Sequence, residues 1–142
     1  MKTITSFLLV IAIALSTTAF AVVDDSHSRA LEIATPYVKQ GYLVRDEFWS
    51  GILPTRQPMI VRHQLFKGNT YWFWLGSQED KANVSLHVYD PDGKLCNAEE
   101  WQKGPRAAVK VIPKRTGTYF LRVVVEDSPA KRTRWSLAYG FK

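Results

Sequence analysis

Leu65-Phe66-Lys67-Gly68-Asn69-Thr70-Tyr71-Trp72-Phe73-Trp74-Leu75-Gly76 is the stretch on which the fold of this chain turns. Gly68-Asn69 suits a tight turn and the residues on either side suit strands, so the stretch predicts a β-hairpin. Its second strand is unusual. A strand with one face in water alternates apolar and polar side chains, whereas residues 71–75 are apolar at every position. Tyr71, Phe73 and Leu75 fall on one face, and Trp72 and Trp74 on the other. That second face is either covered by another part of the chain or offered to a ligand.

Alternation continues on both sides. Met59, Val61, His63 and Leu65 share one face of a strand, with Ile60, Arg62, Gln64 and Phe66 opposite. Val84, Leu86 and Val88 oppose Ser85, His87 and Tyr89, and Asp90-Pro91-Asp92-Gly93 then supplies the residues of a type I turn with a bulge. Residues 94–97 read as the start of a return strand, and residues 98–105 as a polar excursion carrying Trp101. Residues 107–112, residues 118–126 and a last segment with Trp135, Leu137, Tyr139 and Phe141 on one side read as further strands. Upstream, residues 42–51 are extended and residues 53–58 form a proline-bounded loop. About seven to nine short strands with turn chemistry between them predict the all-β class, as an antiparallel jelly-roll-like β-sandwich. Strand–helix alternation, the mark of parallel nucleotide-binding folds, is missing.

The N-terminal part follows other rules. Lys2 precedes an apolar run over residues 7–15, and Ala19 and Ala21 form a small-x-small end. These are the three parts of a secretory signal peptide over residues 1–21, predicted to be cleaved after Ala21. The run is short for a membrane span, so the expectation is a secreted or periplasmic protein with no transmembrane span after cleavage. In residues 22–41, Ala30, Leu31, Ile33, Ala34, Tyr37 and Val38 recur at helical spacing, Ser26 or Ser28 can cap, and Pro36 breaks or restarts the turn. One or two such turns are unstable alone and are expected to lie on the sandwich formed by residues 42–142.

Cys96 is the only cysteine, so no internal disulfide can form and packing must hold the fold; a lone cysteine of this kind reads as a small core residue. The net charge is +6, falling to +5 when Lys2 leaves. That balance favours an acidic surface. Yet the basic residues are dispersed apart from Lys114-Arg115 and Lys131-Arg132-Thr133-Arg134, which read as a solvated rim, and no nucleic-acid partner is expected.

Three segments, taken in order, resemble the bacterial pre-peptidase C-terminal domain. They are Leu65-Phe66-Lys67-Gly68-Asn69-Thr70-Tyr71, Val84-Ser85-Leu86-His87-Val88-Tyr89-Asp90-Pro91-Asp92-Gly93 and Thr116-Gly117-Thr118-Tyr119-Phe120-Leu121-Arg122-Val123. They correspond to that family's Gly-plus-Tyr hairpin, Tyr-Asp-Pro-Asp-Gly turn and Thr-Gly-Thr-Tyr strand start, and the likeness covers roughly residues 58–139. It implies a non-catalytic, jelly-roll-like module of the kind appended to exported enzymes, with another exported protein or envelope polysaccharide as partner. Related collagen-binding modules hold calcium through an acidic N-terminal segment. Here only Asp24 and Asp25 could stand in for it, and the chain reads as a stand-alone relative.

Chemistry-bearing residues are sparse. His27, His63 and His87 lack metal-ligand spacing, and there is no Gly-x-Ser-x-Gly elbow. Glu79-Asp80 and Glu99-Glu100 could offer the two carboxylates of a glycoside hydrolase, which makes a hydrolase the second alternative, but loop acids ordinarily read as solvating charges, and the turn accounts for Asp90 and Asp92. No catalytic residue, metal or cofactor is expected. The candidate ligand-binding residues are aromatic: Trp72 and Trp74 lie two positions apart on one face, about 7 Å, which suits stacking on successive sugar rings or on an extended peptide. Trp49 and Trp101 lie in segments able to join them, and a carbohydrate-binding module using an exposed Trp pair is the alternative reading. Burial competes with it. Covering an indole of 150–250 Å² is worth, at roughly 25 cal/mol per Å², about 4–6 kcal/mol as an upper bound, comparable with the net stability of a domain. Residues 31–38 are the available cover.

Overall fold

The computed structural model describes residues 25–142. The signal-peptide reading and Asp24 lie outside the described residues. Within them the chain forms one helix, α1 (Asp25–Lys39), and eight strands: β1 (Leu43–Pro54), β2 (Met59–Leu65), β3 (Tyr71–Ser77), β4 (Asn83–Tyr89), β5 (Glu99–Lys103), β6 (Arg106–Val111), β7 (Gly117–Asp127) and β8 (Arg132–Phe141). Every strand pair is antiparallel.

A five-stranded sheet, ordered β1-β8-β3-β6-β5, faces a three-stranded sheet, ordered β2-β7-β4. The orders 1-8-3-6 and 2-7-4 are those of a jelly roll, the double Greek key that closes a sandwich. One strand departs from it. After the Asp90 turn, residues 95–97 run briefly along β4, with a Tyr89–Leu95 bridge and bonds from Cys96 N to Val88 O and from Val88 N to Asn97 Oδ1. The chain then crosses to the larger sheet, where β5 pairs with β6 through Gly104, whose φ is +55°. The polar excursion expected over residues 98–105 is therefore a hairpin strand. Its charged positions are those of an exposed edge, which gives no hydrophobic signal.

The predicted hairpin around Gly68-Asn69 is replaced by a different connection. β2 pairs only with β7, and β3 pairs with β6 and β8. Residues 66–70 thus carry the chain from one sheet to the other. Gly68 takes φ +100°, the Tyr71 hydroxyl accepts bonds from Phe66 N (2.9 Å) and Asn69 Nδ2 (3.2 Å), and Thr70 exchanges backbone bonds with Lys142. Both edges of β3 are filled, so no room is left for β2. A turn of this composition serves an arch as well as a hairpin, because Gly supplies the positive φ that either needs.

Central position explains the apolar run of β3. Tyr71, Phe73 and Leu75 enter the core between the sheets with Leu137, Tyr139, Val109 and Val111, facing Val61, Leu65, Val84, Leu86, Val88, Leu121, Val123 and Val125. Trp72 and Trp74 point outward into a second cluster with Ala108, Ala138 and the α1 residues Ala30, Ile33 and Ala34. The helix comes very close. A Cβ on Gly76 would lie 2.8 Å from Ala30 N and Ser26 O, and one on Gly140 2.6 Å from Leu43 O. These glycines let backbone sit against backbone, and Ala30 and Ala34 keep the helix side equally slim.

α1 is a single helix of 15 residues, longer than the one or two turns the sequence suggested. Pro36 lies inside it without ending it. Proline removes the bond to the carbonyl four residues back, that of Glu32, and both residues are exposed, where water can take that carbonyl. Tertiary packing of the opposite stripe outweighs the local penalty. The helix stops at Gly41, φ +99°, with bonds from Gln40 N to Tyr37 O and from Gly41 N to Val38 O tightening its last turn.

Candidate functional site

The two outer faces of the sandwich differ completely. On the five-stranded sheet, α1 lies over β3, β6 and β8, and Trp72 is 5% and Trp74 0% exposed. The Tyr37 ring sits 4.5 Å from that of Trp72 and 5.6 Å from that of Trp74. The two indoles cannot stack on successive sugar rings as an open platform, because Tyr37, Ala30, Ile33 and Ala34 occupy that space. Trp49 does not join them. It lies on the inner side of β1, opposite Leu137, across the sheet from that face.

Trp49 instead helps close the seam between β1 and β2. Its ring lies 5.0 Å from His63 and 5.6 Å from Tyr139, and those two lie 4.8 Å apart. The Tyr139 hydroxyl donates to Glu47 Oε2 at 3.4 Å. Burial draws the His63 imidazole below its ordinary range against the pull of Glu47, and burial likewise raises the Tyr139 phenol. A neutral imidazole among aromatic rings is a packing arrangement. Among the described residues no serine or cysteine is hydrogen-bonded to it.

The remaining titratable groups are engaged elsewhere. His27 stacks on Phe48 at 3.8 Å with Nδ1 3.3 Å from Ser136 Oγ, and His87 lies on the outer side of the other sheet. Among the described residues no cluster of His, Cys, Asp and Glu is arranged to hold a metal ion. Asp90 accepts bonds from the amides of Asp92 and Lys94, which hold its carboxyl below the usual range, and Asp92 pairs with Arg115 at 2.8 Å. Cys96, half-buried, has its thiol pushed up to about 11 by burial, and its Sγ contacts Val88 O at 3.4 Å. Such a thiol is a poor nucleophile at neutral pH.

Among the described residues the outer face of the three-stranded sheet carries no helix. Register aligns two rows across it: His87, Arg122 and Ile60, then Tyr89, Phe120 and Arg62. Ile60 is 46% exposed, Arg62 is exposed, and Phe120, Arg122 and Tyr89 are half-buried. The Arg62 guanidinium lies 5.9 Å from the Phe120 ring centroid. Glu126, on the same side of β7, accepts the Ser85 hydroxyl at 2.6 Å, leaving the two guanidiniums without a carboxylate in these rows. Ile60, Arg62, Phe120, Arg122 and Tyr89 thus share one side of the β2–β7–β4 sheet. The sequence marked these positions only as the polar side of alternating strands. Two arginines and two aromatic rings on one register were visible there only once the β2–β7–β4 order was known.

No protein-family model matches the chain, and no curated protein matches it either. Among solved structures, the crystal structure of PliG from Aeromonas hydrophila, a periplasmic lysozyme inhibitor of g-type lysozyme, is similar, with a TM-score of 0.49 and 17% identity over 72% of this chain and 90% of that one.

Proposed function

We propose that this protein is an exported, non-catalytic binding module that engages another exported protein through the bare outer face of its three-stranded sheet. The observation that carries this reading is the asymmetry of the two faces: one is sealed by α1, and the other presents Ile60, Phe120, Tyr89, Arg62 and Arg122 to solvent. Arginine and aromatic side chains on an open sheet face are the residue types that dominate protein interfaces, where a large apolar group is ringed by polar contacts. The two guanidiniums call for carboxylates on the partner, each able to accept a forked pair of bonds. The pre-peptidase-type accessory role is compatible with this reading, since it too is non-catalytic and works beside another exported protein.

The test is position-specific cross-linking in the exporting cell, with a photoreactive residue at Ile60 or, as control, at Leu31 on the solvent side of α1. The expected result is a discrete adduct from position 60 that is lost in Arg62→Glu/Arg122→Glu. Equal adducts from both positions, or an adduct indifferent to the charge reversal, would contradict the reading. Purified exported proteins, a g-type lysozyme among them, form the panel for direct binding.

A further inference from the structure

A second surface is concave and chemically distinct. Trp101, on the outer side of β5, donates from Nε1 to the Tyr37 hydroxyl at 2.8 Å, which fixes a half-buried indole beside α1. On either side of that bridge lies a depression. One, of about 470 Å³, is lined by Glu32, Ile33, Pro36, Tyr37, Gln40, Trp101 and Arg106. The other, of about 480 Å³, shares Tyr37, Gln40 and Trp101 with it and adds Trp72, Tyr42, Thr70, Glu99, Lys110, Ile112 and Lys142. Together they form a trough across the Tyr37–Trp101 bridge. Each half falls in the size range of small-ligand sites.

We infer that this trough is a binding site for a neutral saccharide chain, with Trp101 as its stacking platform and one sugar unit or more on each side of the bridge. Three observations point to that ligand. The indole has spent its only donor on Tyr37, so what it offers is its apolar surface, and the ring is held in place before any ligand arrives. Every cation of the walls already has a partner within the protein: Arg106 pairs with Glu32 at 3.9 Å and Lys110 with Glu99 at 3.5 Å, while Lys142 donates to the Gln40 carbonyl at 3.0 Å and lies 4.7 Å from the Tyr42 ring centroid, so none is left calling for an ionic ligand. Gln40 and Thr70 add neutral donors and acceptors to both kinds of surface. Aromatic faces beside balanced polar groups match a sugar, which presents C–H on one face of its ring and hydroxyls around its edge. A peptide or acidic polymer would leave one half of that lining unused. Trp72 takes part only through the edge that reaches the second depression, since its faces lie beneath Tyr37.

The site is separate from the protein-binding face and stands or falls alone. Its test is a titration of the ¹⁵N-labelled protein with maltotetraose and with chitotetraose, following the indole N–H signals after Trp101→Phe has identified the one from Trp101. The expected result is a saturable shift of the Trp101 signal with at least one of the two sugars. Trp101→Ala should then weaken binding by about tenfold, the size of a lost aromatic contact. Gln40→Ala, an exposed position that leaves α1 packing intact, should weaken it severalfold and decides the matter if Trp101→Ala unfolds. No shift of the Trp101 signal with either sugar, or binding unchanged in the substituted proteins that remain folded, overturns the inference.

Discussion

The two outer faces of this sandwich start from the same strand rule and end in opposite chemistry. On the five-stranded sheet the outward positions include Trp72, Trp74, Ala108, Ala138 and Gly76, and a helix lies on them. On the three-stranded sheet they include Ile60, Arg62, Gln64, Phe120, Arg122 and Tyr89, beside the buried Ser85 and Val124 at one end, and no helix of the described residues lies on them. Large rings interleaved with very small residues make a surface shaped for another backbone. Guanidiniums interleaved with rings make one that remains soluble while keeping strong contacts available. Exposed apolar area alone would not have separated the two, because what distinguishes them is the size pattern and the charge.

The comparison breaks first at its covered side. Trp74→Ala removes a fully buried indole and should cost about 3–5 kcal/mol in urea denaturation, whereas Phe120→Ala on the bare face should cost about 1 kcal/mol or less. Equal losses would mean that the helix is not integral to the fold. Gly76→Ala comes next. Its new methyl would meet Ala30 N and Ser26 O at 2.8 Å, so α1 must shift, and overpacking of this kind costs about 1–3 kcal/mol. A reduced denaturation midpoint with increased hydrogen exchange in residues 25–39 is the expected signature.

Much of this was open to inspection in the sequence. Alternation in residues 59–65, 84–89 and 118–126 defines the strands and their core faces, because water on one side imposes period two. The sandwich follows from their number and spacing. The sheet membership of neighbouring strands does not follow from local chemistry. Gly68-Asn69 fits a hairpin and an arch equally, and only the complete pairing of β3 with β6 and β8 excludes the hairpin. Strand β5 was missed because Glu99, Glu100, Gln102 and Lys103 carry no apolar alternation on an exposed edge. For the same reason Trp101 reads as a tryptophan of a polar loop, able to approach Trp72 and Trp74 but with no strand to place it. Its partner Tyr37 is 64 residues away, a distance no local pattern spans. Trp72 and Trp74 were recognisable as the outward pair of β3; that Pro36 would stay inside a helix covering them depended on packing.

Smaller effects sharpen the seam on which both sheets close. Burial holds the His63 imidazole below its ordinary value of 6.5, opposed by Glu47. The unfolded chain therefore binds more protons than the folded one just below that value. The contribution of His63 should be fully present above pH 6.5 and should decline as pH falls through the histidine range toward the lowered native value. Denaturation midpoints measured across that interval should drop on the acid side, and His63→Phe should flatten the decline. Least in energy is the Cys96 thiol, pushed up to about 11. It should react slowly with an aromatic disulfide reagent at pH 8 in the native protein and at the ordinary rate in urea.

The central claim is that the bare face works on a partner while the covered face works on stability. It is tested most directly by the affinity of Arg62→Glu/Arg122→Glu for the protein cross-linked from position 60, measured beside its urea denaturation. Affinity should fall by about a hundredfold, as expected when charged interface contacts are reversed. Stability should stay within about 0.5 kcal/mol of the parent, as for surface substitutions. Unchanged affinity, or a loss of stability large enough to account for the lost binding, would contradict the account.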